Sequence, residues 1–315
     1  LVEALLDRGW EVVCLERKPG RAVALFGDRV AAVPGDLEDE SALRDGCTGA
    51  DVVFHLAGLT VARKPQDFFR INRDGTRRLV QAAQEASPQP GRLIYVSSLA
   101  ASGPSTLGKP AVETDSPHPV SFYGKSKLAG EEEVRRGRIP WTIVRPPTVY
   151  GPRDRGLLRM FRLARKRLVP LVGKREQELS FIYASDLAAA IIAATGEGCA
   201  GKIYFASHPE VVPLARAAEA IHRAVAALSG EPMRRPLMVR SPAFIARNLL
   251  GFIGWILGLA GKATLLSADK ARELLAEAWT CSPAALERDT GWRARIDLET
   301  GLGLTARWYR EHGWL

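Results

Sequence analysis

Cysteine is scarce in this 315-residue chain, and its four positions are scattered. Cys14, Cys47, Cys199 and Cys281 form no CxxC pair and have no histidine at ligand spacing, so the spacing supports neither a zinc site nor a disulfide framework. Such usage fits a reducing cytoplasm. Long apolar runs are missing as well: the longest, residues 249–260, falls short of the roughly 18–20 residues that a membrane-spanning helix needs. The sequence shows no secretory signal, internal repeat or low-complexity tract, and cytoplasmic residence follows as the expectation. Charge of one sign is concentrated in one place only. Of the net +9, residues 151–180 hold nine basic and three acidic side chains, which argues for one local basic surface and against a chain-wide nucleic-acid footprint.

What is present is an ordinary globular composition, 46% hydrophobic and 25% charged, in a chain long enough for about two domains. Residues 1–6 read as a helix closed by Gly9. Short, nearly continuous apolar runs follow at 10–15, 29–33, 50–55, 92–97 and 141–145, as expected of strands covered on both faces. Helical stretches at 41–45, 68–85 and 123–136 lie between them. The alternation predicts an α/β fold, a doubly wound parallel sheet of Rossmann type, with a smaller and mainly helical second domain. Residues 1–150 are assigned to the first domain, with 181–207 returning to it, and 151–180 and 208–315 to the second.

Ligands of open parallel sheets sit beyond the carboxyl ends of the strands. Those ends carry Glu16, Gly35-Asp36, Ala57-Gly58, Ser97-Ser98 and Pro146-Pro147. Each alone reads equally well as turn chemistry. Tyr123 and Lys127, spaced i and i+4, share a helix face, and an ammonium beside a phenol is expected to lower the phenol's pKa and make it a general acid/base. Ser98, 25 positions earlier at a strand end, is placed to hold a reacting oxygen. His55, among apolar neighbours, reads as a packed strand residue and His118 as part of a loop.

The segments Gly35-Asp36-Leu37, 54–58 (FHLAG), 72–76 (NRDGT), 96–98 (VSS), 123–127 (YGKSK), 145–152 (RPPTVYGP) and 180–187 (SFIYASDL), with a tail rich in Trp, Tyr and Arg at 308–314, resemble in order and spacing the extended short-chain dehydrogenases/reductases, the NAD-dependent epimerase/dehydratase group. The resemblance implies that Tyr123 is the acid/base, that Lys127 is its partner and also holds the nicotinamide ribose, and that Ser98 bonds the substrate oxygen. It further implies that Asp36 and Leu37 flank adenine, that Ala57 and Gly58 let the backbone approach the cofactor beside Pro146, and that Asn72 stabilises its helix. A homodimer through the helix bearing Tyr123 and Lys127 is implied too. Members open with a strand and a glycine-rich phosphate turn. This sequence starts inside the helix that should follow it, so no glycine fingerprint can be numbered, and a protein starting at Leu1 is expected to bind dinucleotide poorly.

Glu16 stands where a carboxylate accepts hydrogen bonds from the ribose hydroxyls of NAD, while Arg17 beside it would suit the 2′-phosphate of NADP, the alternative cofactor. Dehydratases of the group carry Asp-Glu after the catalytic hydroxyl residue. Leu99-Ala100 stand there instead, which disfavours dehydration and leaves reversible hydride transfer at a secondary alcohol or ketone of a small molecule. Where members that bind nucleotide sugars place a phosphate-binding Arg and Asn, this chain has Glu178-Leu179-Ser180 and Pro146-Pro147. With the basic stripe Arg155, Arg159, Arg162 and Lys166 and the apolar stretch 244–259, this favours a lipophilic, sterol-like substrate met at an anionic membrane surface. A nucleotide-sugar epimerase is the alternative within the class, and a non-catalytic binding or assembly subunit of the same fold is the alternative outside it.

Overall fold

The computed structural model describes residues 1–172, 176–229, 236–241, 272, 273 and 275–315. Twelve strands are seen among them: β1 Val12–Glu16, β2 Val30–Pro34, β3 Val52–His55, β4 Arg92–Val96, β5 Trp141–Arg145, β6 Thr148–Tyr150, β7 Leu168–Val172, β8 Glu178–Tyr183, β9 Lys202–Phe205, β10 Val211–Pro213, β11 Leu237–Ser241 and β12 Ala278–Trp279. The central sheet is parallel throughout, in the order β3-β4-β5-β9. A separate parallel pair, β1-β2, is not joined to it by a ladder. Packing links the two instead, with Trp10, just before β1, tilted against Phe54 of β3 at 6.0 Å between ring centroids.

Successive side chains of β4 and β5 enter opposite cores, as the two-residue period of a strand requires. Leu93, Tyr95 and Ile143 pack with Leu43, Leu79, Val80 and Val134 on one face. Ile94 and Val144 pack with Ile182, Leu187, Ile191 and Tyr204 on the other. Full burial of each such aliphatic side chain is worth about 1.5–3 kcal/mol, and this two-sided burial is why the runs read as continuously apolar. The covering helices are locally specified. Asp39 caps the helix Glu40–Cys47 by accepting from Ala42 N at 3.0 Å, and Ser121 caps the helix Phe122–Arg136 by accepting from Gly124 N at 3.0 Å.

The expected helix 68–85 is in fact three pieces: Pro65–Phe69, a π-helical turn Arg70–Gly75, and Thr76–Glu85. The segment 181–207 is divided as well. Helix Ala184–Ala193 and β9 serve the central sheet, whereas β8 pairs with β6, β10 and β12 in a second sheet. That second sheet and helices Leu158–Arg165, Leu214–Ser229 and Leu298–Glu311 enclose another core, rich in Tyr150, Phe161, Phe181, Tyr183, Leu302 and Tyr309. The basic stripe is shorter than expected. Its helix spans Leu158–Arg165 with Phe161 and Ala164 buried beneath, so Arg155 and Lys166 lie beyond its ends. The apolar stretch 244–259 lies outside the described residues. No helix among the described residues is long and apolar enough to cross a membrane.

Candidate active site

Because β3, β4 and β5 are adjacent and parallel, the segments leaving their carboxyl ends share one edge of the sheet: Ala57-Gly58, Ser97-Ser98 and Pro146-Pro147. Buried Pro146 ties two of these ends together, since its carbonyl accepts from Leu99 N at 2.8 Å. Ser98 caps the short helix Leu99–Ser102, its Oγ accepting from Ala100 N at 3.1 Å. The helix Phe122–Arg136 crosses the same edge, and its approach depends on Gly124, where a Cβ would stand 2.2 Å from the Ala100 carbonyl oxygen. This closeness brings the Tyr123 phenol into a hydrogen bond with the Ser98 side chain. The Phe68 ring lies 6.1 Å from the Tyr123 ring, centroid to centroid.

Lys127 is on the same helix, 4% exposed, with Nζ donating to the Val96 carbonyl at 2.8 Å and lying 4.2 Å from the centre of the Tyr95 ring. Burial lowers its pKa to about 7, partly opposed by Glu131. The phenol does not follow the expectation that Lys127 draws its pKa down. Tyr123 lies above its ordinary value because burial outweighs the Ser98 hydrogen bond and Glu273 adds negative charge. A lysine that is itself half-neutral near pH 7 is a weak electrostatic partner.

Beneath the site lies a buried ion pair. Glu131 and Arg145, each 2% exposed in its side chain, meet at 2.6 Å and 2.9 Å, and Ser97 Oγ donates to Glu131 at 2.5 Å. The pair fixes the helix Phe122–Arg136 to the ends of β4 and β5. Asn72, in the π-helical turn, does the same for the end of β3. Its Nδ2 donates to Leu59 O and to Ser126 Oγ, both at 2.9 Å, and its Oδ1 accepts from Leu59 N at 2.7 Å. Sequence reasoning gave Asn72 a helix-stabilising part, whereas it bridges a loop to the helix of Tyr123. His55 is a packed residue as expected: 2% exposed, bonded to Thr76 Oγ1 at 2.8 Å, its pKa lowered to about 3 by burial. His118 lies in an exposed loop with its ring nitrogens on the Ser116 and Pro104 carbonyls.

The expected cofactor residues divide. Ala57 and Gly58 are exposed at the sheet edge, and a Cβ on Gly58 would stand 2.9 Å from Asn72 Oδ1 and 3.8 Å from Lys127 Nζ. Lys127 has three donors and one hydrogen bond to protein. A glycine cradle beside a buried ammonium with donor capacity to spare fits a ribose carrying two hydroxyls. Asp36 is half-buried, its Oδ1 accepting from Glu38 N at 2.8 Å, and the Leu37 side chain is buried in the core against Gly75. Leu37 therefore has only its backbone to offer adenine. Glu16 is turned into its own loop, with its two oxygens accepting from Gly20 N and Ala22 N at 2.6 Å each, while Arg17 is exposed. The carboxylate sits at the strand end as expected, but its first task is to hold that turn.

Glu131 and Glu273 both escaped the sequence reading. Glu273, 8% exposed, accepts a hydrogen bond from Ser121, the cap of the helix Phe122–Arg136, and its charge acts on Tyr123. No motif marks it.

Comparison with known proteins agrees with this geometry. Residues 1–206 match the NAD dependent epimerase/dehydratase family. The chain belongs to that family. It is an NAD-dependent enzyme of the oxidoreductase and epimerase kind. Among its relatives, the ceramide reductase of Caulobacter vibrioides is 32% identical over 315 residues, covering 100% of this chain and 92% of that protein. The 2-alkyl-3-oxoalkanoate reductase of Stenotrophomonas maltophilia is 27% identical, covering 96% and 93%. The structure of MoeE5 in complex with UDP-glucuronic acid and NAD, 23% identical, aligns with a TM-score of 0.75 over 99% of this chain and 94% of that one, which shows the fold.

Proposed function

We propose that this member of the family is a reductase that interconverts a ketone and a secondary alcohol on a lipophilic molecule, with Tyr123, Ser98 and Lys127 as its catalytic residues. The observation that carries the reading is the Tyr123–Ser98 hydrogen bond at the carboxyl edge of the sheet, with Lys127 buried one helical turn away. When bound, the nicotinamide supplies or accepts the hydride. The Ser98 hydroxyl holds the carbonyl oxygen, and the Tyr123 hydroxyl gives that oxygen its proton during reduction, becoming the phenolate, which takes the proton back during oxidation. A phenol above its ordinary pKa stays protonated at neutral pH, the state required of a proton donor. Lys127 directs donors toward the ribose from beneath the site, and Asp36, Leu37, Ala57, Gly58 and Pro146 line the approach of the cofactor.

Two features favour a lipophilic substrate over a nucleotide sugar. Ser180, at the expected phosphate-anchor position, is 1% exposed and bonded to the backbone of Cys281 through its Oγ. A neutral, occupied hydroxyl leaves that position without a cation for a diphosphate. The names of the relatives point the same way, to a ceramide and to 2-alkyl-3-oxoalkanoates. Exposed Arg159, Arg162 and Arg165 share a helix surface that leads into exposed Leu168, which pairs with exposed Leu237. Such a face suits docking on an anionic membrane from which a lipophilic substrate is drawn.

NADH consumption by the purified full-length protein, offered a keto-ceramide, a 3-keto sterol, a 2-alkyl-3-oxo acid and UDP-glucose, tests the reading. Turnover of at least one lipid ketone is expected. Turnover of the nucleotide sugar alone would overturn it.

A further inference from the structure

Beyond Tyr123, Ser98 and Lys127, the C-terminal part of the chain brings a carboxylate, Glu273, to the start of the helix that bears Tyr123. Glu273 is 152 positions from Ser121 in sequence, yet it accepts the hydrogen bond of the Ser121 hydroxyl. Ser121 is 1% exposed, and the same Oγ accepts from Gly124 N at 3.0 Å. One buried hydroxyl therefore links the cap of the helix to a residue of the other lobe. Glu273 is itself anchored, its carbonyl accepting from Trp279 Nε1 at 2.7 Å, and Trp279 belongs to β12, which pairs with β8. The path from the second sheet to the first turn of the catalytic helix is continuous: β8, β12, Trp279, Glu273, Ser121.

We propose that Glu273 is a positioning residue for Tyr123, fixing the first helical turn through Ser121 and placing one negative charge against the phenol. The groups that face Tyr123 can be named from each packed element. Ser98 comes from the end of β4, the uncharged Phe68 ring from the helix Pro65–Phe69, Lys127 from the next turn of its own helix, Tyr95 from β4 beneath, and Glu273 from the second lobe. Glu273 is the carboxylate acting on the phenol in this set, and its charge raises the phenol's pKa. Ser121 is two positions before Tyr123, so displacing it rotates the phenol relative to Ser98. Buried carboxylates are costly unless they are bonded, and the hydroxyl that donates to this one is the same hydroxyl that caps the helix by accepting from Gly124 N.

The inference rests on Tyr123 being the proton donor, and its test is separable from that reading because the titration arm needs no substrate. Titrating tyrosinate absorbance in the NADH-bound protein, with the same titration of Tyr123→Phe subtracted, isolates this phenol. In Glu273→Gln, which keeps an acceptor for Ser121 and removes the charge, the midpoint should fall by about half to one unit. Ser121→Ala should leave that charge in place but lower kcat for a lipid ketone several-fold with little change in KM. Glu273→Ala should lower both the midpoint and kcat. An unmoved midpoint in Glu273→Gln, or full kcat in both alanine variants, would overturn the proposal. If Glu273→Ala does not fold, the Gln variant alone carries the test. Full turnover by Tyr123→Phe would instead remove the functional reading, and the titration would still decide whether Glu273 acts on this phenol.

Discussion

Replacing Lys127 with Met removes an ionisable group whose burial has a calculable consequence. The unfolded chain holds the proton on this lysine until about pH 10.5, whereas the folded protein releases it near 7. Between those values the unfolded state binds more protons, so this group makes stability rise with pH. The protonated amine's penalty is fully present below pH 7 and is relieved as the pH climbs to 10.5. From pH 7 to pH 9 the wild type should therefore gain about 2 kcal/mol over Lys127→Met. No discount for solvent screening applies, since Lys127 is 4% exposed. Other titrations do not blur the comparison. His55 titrates near 3 and is neutral at both pH values, and the buried cysteines Cys47 and Cys281 titrate upward of their usual range in both proteins. Urea unfolding of both proteins at pH 7, 8 and 9 gives the difference directly. Parallel stability curves across that range would refute the burial argument for Lys127.

Other parts of the framework give their own expectations. Removing one partner of the buried Glu131–Arg145 pair, as in Glu131→Ala, leaves an uncompensated guanidinium and should cost about 3–5 kcal/mol in chemical unfolding. The double replacement Glu131→Met, Arg145→Met should recover much of that loss. Asn72→Ala orphans both backbone groups of Leu59 and should cost about 2 kcal/mol, with NADH affinity falling alongside as seen by fluorescence titration. Gly124→Ala forces a Cβ to within 2.2 Å of the Ala100 carbonyl oxygen, so the helix of Tyr123 and the Ser98 segment must part. Here kcat should collapse while the thermal midpoint falls by only a few degrees, about 1–3 kcal/mol. Glu16→Ala frees Gly20 N and Ala22 N, and its effect on the NAD to NADP preference should come with a general loss of cofactor affinity, measurable by titration with both.

The central sheet was legible because burial on both faces leaves little choice of residue: the run 141–145 is β5 to the residue. Boundaries slipped where packing intervened. Trp10 belongs to the apolar run before β1 but packs, tilted, against Phe54 outside the ladder. The π-helical turn Arg70–Gly75 carries no mark in a 3.6-residue pattern, yet it sets the angle at which Asn72 reaches both Leu59 and Ser126. Tyr123, Lys127 and Ser98 could be singled out as candidates because spacing on one helix and position at one strand end are local properties. Glu273 could not, since what gives it meaning is a tertiary contact with Ser121 across 152 positions. Glu16 carries a second task that its position in sequence does not announce. A carboxylate at a strand end reads as a ribose ligand, but Gly20, in a left-handed conformation at φ 83°, turns the chain so that two backbone N–H groups meet it first.

Transfer of label from the cofactor tests the central claim most directly. With NADH deuterated at C4 and a lipid ketone that the protein turns over, mass spectrometry of the product should show one deuterium on the new carbinol carbon. The same experiment with Tyr123→Phe should show cofactor binding nearly intact and product formation reduced by at least about a hundredfold, as loss of a general acid predicts. Deuterium absent from the carbinol carbon, or product formed by Tyr123→Phe at the wild-type rate, would contradict hydride transfer assisted by this phenol.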